Sequence, residues 1–364
     1  MKRSNTNLSI CKAIAIILMC AGHTEGPTHL MTFIYLFHMP VFFIAAGYFF
    51  DKKYLDDPWT FCKKRFKGLY VPFVKWSVFF LVFHNLFFKI GLLNEQYGNW
   101  AGGVTHPYTW HQFWQRLVHI IFSMAGYDEF LAGAFWFFRA LLVSSIVFLV
   151  LYLLLHNRHK WLNHDTVPIV IAVLAIGFAW FKVANGLKIA TIVQGGIREC
   201  WGVLFFAMGV LYRRHESRIK EHWTLTILYF ALLAGGSMLD LQGMALKVQL
   251  KTVVTLPVTG AIGFLMVHSI ASWIDRHDGI VKRFLVYCGN NTLYIFIFHI
   301  ISFKLVSAIK IWYYGLDWGQ IGCHMVIHEH STTDLFWVLY TIVGTAVPLI
   351  GIRFYAHWRE RFRG

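Results

Sequence analysis

Two ionisable residues share the first apolar segment of this 364-residue chain. Lys12 and His23 stand eleven residues apart. On a helix, at about 100° per residue, that is three turns plus roughly 20°, so both point to one face. Their separation along the axis is about 16 Å. A charge inside a membrane-length apolar run costs about 2.5–3.5 kcal/mol on insertion scales. Lys12 therefore either snorkels to the nearer surface or serves a site. His23 either caps a helix end or acts as a general base, a task suited to an imidazole with its ordinary pKa of about 6.5. Glu25, two residues on, either orients that imidazole or is a solvated loop charge.

Other candidates follow along the chain. In Phe37-His38-Met39-Pro40, the proline frees a carbonyl and permits a kink. His38 then lines a cavity or bonds a neighbouring helix. Lys63-Lys64-Arg65-Phe66-Lys67, closed by Pro72, is either a positive-inside anchor or a phosphate site made by Lys64, Arg65 and Lys67. Trp136 and Arg139 open a later apolar run, and Arg139 belongs to an interface belt or faces a polar cavity. Arg198 has a similar position. Tyr294 and His299 follow Gly289-Asn290-Asn291-Thr292, where His299 is catalytic or bonds another helix. Cys323, His324, His328, Glu329 and His330 are metal-ligating types, but their spacing fits no zinc motif, and no metal is expected. His106, His111 and His119 are equally unspecific. There is no Walker A loop, GxGxxG after a strand, HExxH or GxSxG, so ATP-driven transport, soluble dehydrogenase chemistry and a lipase triad lack support.

The elements that carry these residues are read from composition. Hydrophobic residues make up 57% and charged ones 14%, against about 25% charged in soluble domains. Yet Lys and Arg number 33 against 18 Asp and Glu, a net charge of +15. A chain both basic and charge-poor is a polytopic membrane protein with its charges in loops. The apolar content excludes a disordered chain and a nucleic-acid binder. Six cysteines without close spacing exclude a disulfide scaffold, and continuous runs exclude an outer-membrane barrel. The expected fold is an all-α bundle forming a single domain over 1–364. About ten spans are expected, at 8–24, 30–50, 70–92, 134–155, 166–182, 198–212, 223–239, 251–272, 284–305 and 334–352. The first is read as an uncleaved helix, since Lys12 interrupts it and no small-residue cleavage site follows. One set of connecting loops holds 21 Lys and Arg and the other 9, which predicts both termini in the cytoplasm and the stretches near 93–133 and 306–333 outside.

Taken in order, the motifs resemble the acyltransferase 3 family of integral-membrane acyltransferases. Lys12-x10-His23 resembles its Arg-x10-His pattern in the first helix. Phe37-His38-Met39-Pro40 through Gly47-Tyr48 resembles its second-helix pattern. Lys64-Arg65-Phe66-Lys67 through Pro72 resembles its basic loop, and Phe135-Trp136-Phe137 its fourth-helix start. Gly289-Asn290-Asn291-Thr292-Leu293-Tyr294 through His299 resembles its Gly-x-x-Ser-x-Tyr…His pattern. The resemblance implies transfer of an acyl group, usually acetyl, from cytoplasmic acyl-CoA to a hydroxyl of a glycan or related acceptor. Acyl-CoA would be a co-substrate, with no permanently bound cofactor and no nucleic acid. The protein would be multi-pass in the cytoplasmic (inner) membrane and modify surface polysaccharide or a related acceptor.

In that scheme His23 is the catalytic residue, supported by Lys12 and Glu25. The phosphates of CoA rest on Lys64, Arg65 and Lys67, while His38, Trp136, Arg139, Tyr294 and His299 line the cavity. Lys12 departs from the family's arginine, keeping the charge and losing the planar fork. Lys64-x-x-Lys67 stands for Arg-x-x-Arg, Thr292 for serine, and Ala46 for the serine often found before Gly47. No extra hydrolase-like domain of the kind that some relatives carry is expected. The rival reading is a proton-coupled transporter of a small polar metabolite, which Lys12, His38 and His299 within spans would suit. No inverted repeat supports it.

Overall fold

The structure, a computed structural model, describes residues 6–98, 106–156, 158–190, 192–219, 222–326 and 333–361. It is all helical, with no strand among the described residues. The helices are α1 (Thr6–Gly22), α2 (Thr28–Tyr35), α3 (His38–Tyr48), α4 (Lys53–Asp56), α5 (Pro58–Arg65), α6 (Val71–Lys89), α7 (Glu95–Gly98) and α8 (Trp110–Ser123). They continue with α9 (Trp136–Leu155), α10 (Thr166–Ala184), α11 (Ile197–His215), α12 (Trp223–Met238), α13 (Leu250–Asp275), α14 (Ile280–Asn290), α15 (Thr292–Tyr314) and α16 (Phe336–Arg361). Seven helical stretches of the described residues are long and apolar enough to cross a membrane: Thr28–Tyr48, Pro58–Lys89, Gly133–Leu155, Thr166–Ala184, Leu250–Asp275, Thr292–Tyr314 and Phe336–Arg361. α1 and α12 are shorter apolar helices.

Each apolar run read from the sequence holds a helix, and the departures have local causes. The second run breaks between α2 and α3. Pro40 has no N–H for the Leu36 carbonyl, and Thr259 Oγ1 approaches that oxygen at 3.5 Å. His38 Nδ1 donates to the Ile34 carbonyl at 2.9 Å. The basic stretch expected as a loop is helical. Asp57 accepts from the Thr60 amide at 3.0 Å, Pro58 takes the first turn, where its missing N–H costs nothing, and a π-turn over Phe66–Tyr70 leads into α6. That wide turn lies beside Pro72, where a regular ladder would lose a bond. The ninth run, expected at 284–305, is two helices. Asn291, at φ −114° and ψ 19°, ends the short α14, and α15 starts at Thr292. The stretch expected as a loop at 93–133 contains α8, closed at its start by a Thr109/Gln112 capping box.

Contacts divide the chain into two compact units. Unit 1 is Met1–Ala15, His29–Val71 and Phe137–Gly289; unit 2 is Ile16–Thr28, Pro72–Trp136 and Asn290–Gly364. Unit 1 is centred on α11, which is buried on nearly all sides, including Trp201, Phe205 and Phe206. A helix buried all round cannot be recognised by an apolar stripe. A Cβ on Gly47 would lie 2.0 Å from the Phe206 carbonyl oxygen, and one on Gly209 2.0 Å from that of Ile44. α3 and α11 thus pack backbone to backbone, the close approach that small residues permit between membrane helices. In unit 2, α15 packs on α16 around Phe303, Val306 and Tyr340. A Cβ on Gly344 would meet Phe303 at 2.5 Å.

Candidate active site

His23 directly follows the last residue of α1, in unit 2. Its amide still donates to the Met19 and Cys20 carbonyls at 3.2 Å each, so the helix hydrogen bonding carries on to it. The Thr24 hydroxyl donates to the Ala21 carbonyl at 2.6 Å and is buried. These bonds fix the backbone at the helix end, and the imidazole of His23 is half-buried there. Its ring centre lies 5.2 Å from that of His299, tilted by 46°, and 6.3 Å from that of His324, edge-on.

His299 is 1% exposed, about two turns into α15. Its Nδ1 faces the carbonyls of Phe296 at 3.0 Å and Ile295 at 3.2 Å. Carbonyls only accept, so Nδ1 carries a proton. Nε2 is buried and has no hydrogen-bond partner among the described residues.

His324 is held by its loop. The Lys304 ammonium, 5% exposed, donates to the carbonyls of Ile321 at 2.7 Å and of Cys323. Lys304 also lies 5.2 Å from the centre of the Phe130 ring, which meets His324 edge-on at 5.6 Å. Burial first, then the positive fields of His23 and Lys304, push the His324 imidazole down from the ordinary histidine value to about 3. Phe130 is itself placed by a buried pair. Asp128 Oδ1 accepts from the Phe130 and Leu131 amides at 2.9 Å each, and its Oδ2 lies 2.5 Å from His84 Nδ1.

The residues singled out in the sequence fall as follows. His23, Glu25, Trp136, Tyr294 and His299 belong to unit 2, and among them His23 and His299 form a ring pair. Glu25 makes no hydrogen bond to His23 and instead stands in the field of Lys310, which pairs with Asp334 at 3.5 Å. Tyr294 and Trp136 are half-buried. Lys12, His38, Lys64, Arg65, Lys67 and Arg139 belong to unit 1. Lys12 is half-buried, and His38 bonds the helix break. Arg65 is drawn inward, with Nη2 donating to the Ala46 carbonyl at 3.1 Å and its guanidinium over Phe61 and Phe206. Lys64 donates to the Tyr54 hydroxyl at 3.2 Å, and Lys67 is exposed. Arg139 is committed to Glu199 through a 3.1 Å bond from Nε, with both side chains buried.

Sequence reasoning missed Glu199 as the partner of Arg139. It also missed Lys304, the His84–Asp128 pair, and His324 as a neighbour of His23. In the sequence, His324 stands out only as a metal-ligating type. Its companions His328, Glu329 and His330 lie outside the described residues. No group of three metal-ligating side chains occurs among the described residues.

A cluster of imidazoles around His23, with no carboxylate bonded to it among the described residues, suits proton transfer at a helix end. Among known proteins, the sequence profile of one family, described as an acyltransferase domain, matches residues 5–353. No curated protein and no solved structure matches the chain.

Proposed function

Since the chain belongs to the acyltransferase 3 family, we propose that it moves an acyl group, most simply acetyl, from cytoplasmic acyl-CoA to a hydroxyl of a glycan or related acceptor, with His23 as the base. The observation that carries this reading is the position of His23, held at the end of α1 against His299 and His324. It is the one imidazole of that cluster which also stands in the Lys12-x10-His23 pattern.

The reaction follows from elementary chemistry. His23 takes the proton of the acceptor hydroxyl as its oxygen attacks the thioester carbonyl. The tetrahedral intermediate collapses, the C–S bond breaks, and the imidazolium returns the proton to the departing thiolate. An acyl-His23 intermediate is the two-step form of the same chemistry. In this reading the chain crosses the cytoplasmic membrane ten times with both termini inside, as the charge bias predicts. The exposed Lys64 and Lys67 are the cations of the basic segment offered to CoA phosphate. Arg65 keeps its guanidinium on Ala46 and the Phe61 and Phe206 rings, and so shapes the segment.

The test is transfer of label from [acetyl]-CoA to acceptor material in membranes carrying His23→Ala. Loss of transfer with normal membrane insertion is expected; undiminished transfer refutes the assignment. Lys64→Ala/Lys67→Ala is expected to raise the KM for acetyl-CoA, and an unchanged KM removes the phosphate site. Activity must persist in detergent, since transfer, unlike transport, needs no sealed membrane.

A further inference from the structure

Among the described residues no carboxylate is bonded to His23, and Glu25 stands instead in the field of Lys310. A neutral imidazole with one proton and two nitrogens is useful as a base only if the proton sits on the nitrogen away from substrate. In the familiar triad a carboxylate enforces that choice. Here the group beside His23 is another imidazole, and its own proton is already placed. The carbonyls of Ile295 and Phe296 hold the proton of His299 on Nδ1. The lone pair is therefore on Nε2, which is buried and without a partner among the described residues. Its ring centre is 5.2 Å from that of His23, a separation that one N–H···N bond of about 3 Å spans when ring edges face each other.

The geometry points to His299 as the positioning residue of His23: the backbone carbonyls of α15 set the His299 tautomer, and Nε2 in turn accepts the N–H of His23 so that the other His23 nitrogen is bare toward the acceptor hydroxyl. The link is not made in this structure, and closes by a change of ring tilt as substrate enters, as catalytic hydrogen bonds commonly do. His299 stays neutral throughout. The acceptor proton goes to the outer nitrogen of His23 and from there to the leaving thiolate, so nothing is consumed. His299 Nε2 stabilises the transient imidazolium by accepting its inner N–H. The remaining imidazole of the cluster, His324, meets His23 edge-on at 6.3 Å and is carried by a loop that Lys304 holds.

This inference rests on the proposed role of His23, and two substitutions test it separately from that role. Asn at position 299 can keep an N–H donor for the two carbonyls but removes the acceptor at the Nε2 position. Gln extends an oxygen toward that position. An acceptor role predicts that His299→Asn loses at least about 10²-fold in kcat, with the KM for acetyl-CoA within twofold of wild type, and that His299→Gln recovers severalfold over Asn. A purely structural role predicts the reverse order, Asn above Gln. The assay is label transfer from [acetyl]-CoA in native membranes, alongside monodisperse elution of each purified variant. An active His299→Asn with an inactive His23→Ala overturns the inference alone. An active His23→Ala overturns the proposed function. If both variants fail to elute as folded protein, the ring 15N shifts of His299 in the wild type decide, and a proton on Nε2 overturns the inference.

Discussion

Replacing Asp128 should separate two ways of holding the segment that carries Phe130. In unit 2, Asp128 accepts from the amides of Phe130 and Leu131 at 2.9 Å each and from His84 Nδ1 at 2.5 Å. The other nitrogen of His84 donates to the His106 carbonyl at 2.8 Å. Each nitrogen of the ring thus faces an oxygen, one of them a carboxylate oxygen. The ring is stacked on Tyr108 at 3.7 Å, and both side chains of the pair are 1% exposed. Asp128→Ala removes the counter-charge and strands three donors, and breaking a buried pair in this way costs about 3–5 kcal/mol. At about 2–4 °C per kcal/mol for a body of this size, the melting temperature falls by roughly 6–20 °C. Asp128→Asn is different. Its oxygen keeps both amides, and its NH₂ donates to His84 Nδ1 in the tautomer that carries its proton on Nε2. All four hydrogen bonds survive without charge, at a cost of about 1 kcal/mol. The measurement is tryptophan fluorescence during heating in detergent. Equal melting temperatures for the Ala and Asn variants would refute the reasoning, because they would mean that the hydrogen bonds do not govern the cost.

Three further outcomes are expected. Lys304→Met leaves the Ile321 and Cys323 carbonyls without their donor and should lower kcat about tenfold or more while sparing the KM for acetyl-CoA; a wild-type kcat would show that the His324 loop needs no tether. Because His324 is pushed down to about 3, the unfolded chain takes up its proton first as the pH falls below about 6.5. His324 therefore favours folding above that range and its contribution is lost on acidification toward 3, so His324→Phe should flatten the fall in melting temperature between pH 7 and 5, and an unchanged slope would exclude His324 as the source. Glu199→Ala strands the buried Arg139 guanidinium and should cost about 3–5 kcal/mol, whereas Arg139→Met/Glu199→Leu should recover most of it; a double variant no better than the single would mean that the pair is not the relevant interaction.

How much of this was legible beforehand depends on the distance over which each feature is decided. The apolar runs are local, and a stretch of about 20 apolar residues can do little else than form a helix. The π-turn and the break at Leu36–Phe37 are nearly local. Pro72 and Pro40 announce them, but whether a proline bends, breaks or widens a helix depends on partners such as Thr259, 223 residues away from Leu36. The basic segment looked like a loop because its charges mask a well-capped helix start at Asp57 and Pro58. The pairing of Arg139 with Glu199 is hidden because the two stand 60 positions apart, and only burial in the folded chain picks the carboxylate that points inward.

The histidines carry the argument furthest. His23 was recognisable from its spacing to Lys12, and His299 from its place in an apolar run. Their pairing was not, since it joins residues 276 positions apart. His324 sits in a stretch where histidines are common, and nothing in its spacing separates it from His328 or His330. What distinguishes it is Lys304, a cation that satisfies itself on two backbone carbonyls of the neighbouring loop. An apolar helix that keeps a lysine buried for such a purpose incurs the desolvation cost wherever the loop must be held. Three buried cations of these helices divide by partner: Arg139 and Lys310 pair with carboxylates, while Lys304 holds the loop beside His23. Lys304 is thus a pointer to the element it holds, the loop that carries His324 to the imidazole cluster at the end of α1.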